Sequence, residues 1–136
     1  MGTLHATYPR DTISRFETMA MMSDIDMPLH ALRIQLASAL NCIVQVGRLQ
    51  DGSRKITHIS EVLGYDMPTQ TYQLQDIYVR RYLGFTPDGK IESEIVPSGI
   101  LPRCIEQLHE HGMDFPSTLY DAVRAAGGRV PHSPLG

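Results

Sequence analysis

The stretch CIVQVGRLQDGSRKITHISEVLGY, Cys42–Tyr65, decides the fold. Its two halves, Cys42–Leu49 and Lys55–Tyr65, are β-type runs, and Gln50-Asp51-Gly52-Ser53 stands between them. Asp-Gly between such runs is a strong hairpin signal, because glycine takes up the positive φ that a tight turn needs. An antiparallel hairpin is therefore expected here.

Working outward, TYQLQDIYVRRYLGF (71–85) reads as a third strand, TPDGK (86–90) as a second turn, and IESEIVP (91–97) as a returning fourth strand. Upstream, Ile13, Phe16, Met19 and Ala20 recur at helical spacing between Pro9 and about Met22. Pro9 suits a first helical turn, where its missing N–H costs nothing. Asp24 and Asp26 interrupt, and Pro28 opens a second helix with Leu29, Leu32, Leu36 and Leu40 in one stripe and Ala37 beside it. Downstream, a short helix is expected from about Pro102 to His111, carrying Ile105 and Leu108 and stopped by Gly112. One or two more helical turns begin near Pro116. Gly, Pro and Ser from Gly127 onward predict a disordered tail. Helices, then strands, then a short helix make an α+β fold rather than alternating βαβ units. The Pro-containing connection GYDMPTQ (64–70) divides the chain into a unit 1–71, a small lobe 72–126 and the tail 127–136.

Composition narrows the function. Hydrophobic residues make up 42% of 136 positions, enough for one domain or a domain with an appended lobe. A net charge of −3 speaks against a nucleic-acid binder, whose footprint is strongly basic. No long apolar run or basic amphipathic helix indicates a membrane span or interfacial anchor. The first residues lack the charged and apolar regions of a signal peptide. Cys42 and Cys104 have no CxxC partner, which suits buried thiols in a reducing cytoplasm better than a disulfide framework.

Catalytic motifs are sparse. The chain contains no Walker A loop, no dinucleotide GxGxxG and no G-x-S-x-G elbow. His109 and His111 flank Glu110, but residues two apart on a helix point about 200° from each other and cannot grip one ion. No metal is expected there, and the pair reads as a solvated face. His5 stands among small residues that would let a ligand approach, and Arg48, Arg54 and Lys55 flank the Asp51-Gly52 turn, either as a solvated hairpin tip or as a group that could reach an anionic ligand or a neighbouring subunit.

Taken together, GTLHA (2–6), PRDTISRFETM (9–19) and the run from Met27 to Gly64 resemble the C-terminal half of the bacterial secretion ATPase superfamily. The closest branch is CpaF/TadA, the motor ATPases of Flp (tight-adherence) pilus assembly. The resemblance continues through LQDIYV, FTPDGKI and SGILPRCIEQLHEHGMDFPSTLYD to about Val123, and the late segment with Gly99, Pro102 and Arg103 is what points to this branch. It implies a RecA-like P-loop ATPase domain that works as a hexameric ring in the cytoplasm, peripheral at the inner membrane through platform proteins of the pilus or secretion apparatus. By the same resemblance GTLHA is the histidine box that follows the Walker B strand, and His5 lies near the γ-phosphate. ATP and Mg²⁺ would be held by upstream segments, so this chain is expected to begin after the catalytic centre and to bind no nucleotide alone. Arg15 and Arg33 match family arginines and are expected, like Arg48 and Arg54, to serve nucleotide coupling or subunit contact. Tyr8 stands where the branch has a small polar cap, leaving Thr7 to cap the first helix; His30 replaces a usual Arg and Asn41 a usual Asp. The alternative expectation is a non-catalytic module that docks on a secretion-system partner.

Overall fold

The sheet starts from the Asp51-Gly52 turn. In the computed structural model, which describes residues 1–24 and 26–131, Gly52 has φ +83°, a conformation that suits glycine because it carries no Cβ. The Leu49 N–H donates to Ser53 O (2.8 Å) and the Gly52 N–H to Leu49 O (2.9 Å). Asp51 locks the tip: its Oδ1 accepts the Ser53 N–H at 2.9 Å and its Oδ2 the Ile91 N–H at 2.9 Å. Those bonds, the Ser53 hydroxyl first, draw the Asp51 pKa down to about 2.

Eight elements follow in order: α1 Pro9–Met21, α2 Leu29–Ala39, β1 Cys42–Arg48, β2 Arg54–Asp66, β3 Thr71–Phe85, β4 Ile91–Pro97, α3 Ile105–Glu110 and α4 Ser117–Ala125. The strands form one antiparallel meander, β1-β2-β3-β4. This is the α+β arrangement expected, with each strand where its β-type run lies. Met67–Gln70 is a turn between β2 and β3, which pair up to Asp66 and Thr71, so segments 1–71 and 72–126 share one sheet.

Successive strand residues point to opposite faces, and both faces are used. On one, Ile43, Val62 and Tyr72 pack with Ile13 of α1 and Ala37 of α2, with Leu36, Leu40, Tyr65 and Leu74 around them. On the other, Ile77 packs with Leu119 and Val123 of α4, flanked by Tyr78, Leu101, Phe115 and Val130. Burial of Leu119, Tyr120 and Val123 carries α4 to nine residues, about two and a half turns and longer than the turn or two expected. In the segment expected to be a disordered tail, the Gly128 N–H donates to Val123 O (2.9 Å) and Val130 packs on α4; residues 132–136 lie outside the described residues.

Two local expectations need correction. No side chain caps α1; the Tyr8 carbonyl instead accepts the Asp11 and Thr12 N–H groups at 3.0 and 3.3 Å, so Thr7 does not serve. The cysteines are not both buried: Cys42 is exposed and Cys104 half-buried. Among the described residues no helix is long and apolar enough to cross a membrane.

Candidate functional site

Residues 1–6, outside any helix or strand, lie beside β1, and the two enclose an open groove of about 830 Å³. His5, Thr12, Phe16, Gln45, Arg48 and Arg54 contribute to its lining. The groove is held by a residue that sequence reasoning missed. Gln45 is 93% buried on the helix-facing side of β1, and its Nε2 donates to Ala6 O at 2.7 Å and to Val46 O at 3.3 Å. A buried amide is stable only when its polar atoms are bonded, so Gln45 ties the His5 segment to the sheet. The signal was available: Gln45 shares the inward parity of Ile43, where an apolar residue is the norm.

His5 is exposed in this groove. Arg48 and Arg54 stand directly opposite each other on the last rung of the β1–β2 ladder. Like charges so placed repel, and among the described residues neither arginine forms an ion pair. The rim of the groove therefore offers two guanidinium groups, each able to hold a phosphate or carboxylate through paired N–H donors. Three of the five candidate residues thus share one site.

The other two lie elsewhere. Arg15 is an exposed residue of α1. Arg33 turns inward to a polar cluster. Its Nη2 and Nε donate to the two oxygens of Glu17 at 2.8 and 3.1 Å, and its Nη1 to the Tyr65 hydroxyl at 3.2 Å. Tyr72 donates its hydroxyl to the same carboxylate at 3.0 Å. The Arg33 guanidinium lies 5.8 Å from the Tyr65 ring centroid. The hydrogen bond from Arg33 holds the Glu17 carboxyl below its ordinary value, while burial, then Glu17, push the Tyr72 phenol up. All the donors Arg33 uses are directed at its own fold.

The histidine pair is divided. His111 is exposed and its Nδ1 lies 2.8 Å from Gln107 O. His109 is not on a solvated face: only 13% of its side chain is exposed, with Nε2 3.1 Å from Asp114 Oδ1 and 3.3 Å from the Tyr120 hydroxyl. Tyr120 also donates to Asp114, and burial raises its phenol. This cluster closes the α3–α4 connection, and no group of His, Cys, Asp and Glu among the described residues is arranged to hold a metal.

Compared with known proteins, the chain matches no family model, and no curated protein is similar enough to count as a relative.

Proposed function

We propose that this chain is the C-terminal portion of a RecA-like motor ATPase of the CpaF/TadA branch, which couples ATP hydrolysis in a hexameric ring to Flp pilus assembly or protein secretion. The observation that supports this reading is the groove beside β1. The outer edge of β1 is unpaired among the described residues, and segment 1–6 lies across an open channel from it. An unpaired edge facing a channel is suited to take another strand. A strand supplied by an upstream segment would sit between His5 and β1, and a phosphate loop at its end would face His5 and the two arginines. His5 would then report the γ-phosphate, and Arg48 and Arg54 would act in coupling or at the subunit interface. ATP and Mg²⁺ belong to that upstream part, because phosphoryl transfer needs a loop of backbone amides, a Lys and a Mg²⁺ ligand, and this chain carries no such loop. The assembly would work in the cytoplasm, against inner-membrane platform proteins.

The test is to express the gene with any coding sequence that precedes Met1 in frame. The longer protein should hydrolyse ATP with Mg²⁺, and the 136-residue chain should not. His5→Ala in the longer protein should lower kcat by roughly 100-fold while nucleotide affinity changes little, as expected for a contact made chiefly in the transition state. If the gene encodes no upstream P-loop, the chain is instead a docking module for a secretion partner.

A further inference from the structure

Cys42 opens β1 and stands directly opposite Glu61 in the β1–β2 ladder. Residues so paired carry their Cβ atoms roughly 4.5–5.5 Å apart on one face of the sheet. The Glu61 carboxylate in turn caps the chain entering α3: its Oε1 accepts the Cys104 N–H at 3.2 Å and its Oε2 the Arg103 N–H at 2.8 Å. A third bond, from Gln75 Nε2 at 2.6 Å, steadies the carboxylate, and Arg103 Nη2 donates to Leu63 O at 2.8 Å. One side chain thus lies against both cysteines, from across the ladder to Cys42 and through a backbone amide to Cys104. Both also line a single concavity of about 460 Å³ between the sheet and residues 102–107. Both cysteines thus border the same open space. Cys42 is exposed and Cys104 half-buried.

We propose that Cys42 and Cys104 are a modification site for hydroperoxides, which convert them to an intramolecular disulfide that ties α3 to the start of β1. The exposed Cys42 thiolate attacks the peroxide, forming Cys42–SOH and releasing hydroxide or an alkoxide, which takes a proton from water. The Cys104 thiolate then attacks that sulfur, the S–S bond forms and hydroxide leaves. The two thiols lose two electrons and two protons in total, and the peroxide O–O bond takes up the electrons. Burial, then the neighbouring Cys104 and Glu61, raise the Cys42 thiol; burial, then Glu61, raise Cys104. The reaction is therefore slow at neutral pH and accelerates in mild alkali.

The test treats the 136-residue chain with hydrogen peroxide at neutral and mildly alkaline pH, then alkylates it in denaturant and maps the peptides. The expected product runs as a single uncrosslinked chain in denaturant and yields a Cys42–Cys104 linked peptide, formed faster at higher pH and reversed by dithiothreitol. Closing so long a loop should raise Tm by roughly 5–15 °C. Cys42→Ser and Cys104→Ser should each abolish both the link and the shift. The proposal is overturned if both thiols remain open to alkylation, or if Cys42 oxidises alone or crosslinks between molecules while Cys104 stays free. A link that forms only in urea also overturns it.

Discussion

At the scale of single residues, Glu17 shows how one carboxylate joins distant parts of this chain. It accepts from Arg33 on α2 and from Tyr72 on β3, so α1 is bonded both to its neighbouring helix and to the sheet. Its depressed pKa sets the pH dependence. A carboxyl that titrates lower in the folded state contributes fully above the unfolded value of roughly 4.3, and that contribution disappears as pH falls through the folded value. Tyr72→Phe keeps the packing of the ring and removes one hydrogen bond to a charged group. It should lower stability by ~1–2 kcal/mol at pH 7, with the difference shrinking as pH falls through the folded value of Glu17. Urea melts of both proteins across that range measure it; an offset that stays constant would mean that the Tyr72 hydroxyl contributes nothing through Glu17.

At the scale of elements, the seating of α4 depends on two glycines that differ in surroundings. Gly99 has φ +93°, and a Cβ placed there would stand 2.8 Å from Ala126 Cβ and 3.5 Å from Ala122 O. Gly112, after α3, has φ +68° with nothing within 4 Å of such a Cβ. Gly112→Ala should therefore cost only backbone strain, ~1 kcal/mol. Gly99→Ala adds a clash with the end of α4 and should cost ~2–4 kcal/mol. Equal losses in chemical denaturation would show that Ala126 moves aside without cost. Gly112 is marked as a helix stop by the sequence, but the difference between the two glycines comes from α4 returning to residue 99, which no local pattern reveals.

At the scale of the whole molecule, the four helices among the described residues leave part of the sheet exposed. Val44 and Val46 are 54% and 53% exposed on the edge strand, and Ile56, which pairs with Val46, is 38% exposed. An unpaired edge bearing apolar side chains favours association. The isolated chain should therefore self-associate with rising concentration and bind a hydrophobic dye. Val44→Lys with Val46→Glu should restore a monomer in light scattering, and wild-type protein that stays monomeric at high concentration without binding dye would refute this. The sequence by itself determined the elements. β1 to β4, α1 and the stop after α3 follow from apolar period, Pro9, Asp51-Gly52 and Gly112, because dihedral preference and side-chain alternation act over a few neighbouring residues. It also marked His5, Arg48 and Arg54 as residues with chemistry to offer. Only the tertiary structure decided which polar groups meet. It gathered those three around the Gln45 clasp, turned Arg33 inward to Glu17, buried His109 against Asp114 and Tyr120, and set Cys42 and Cys104 on either side of Glu61. Such meetings depend on strand register and on the return of segments tens of residues apart, where a shift of one residue exchanges the two faces of a strand.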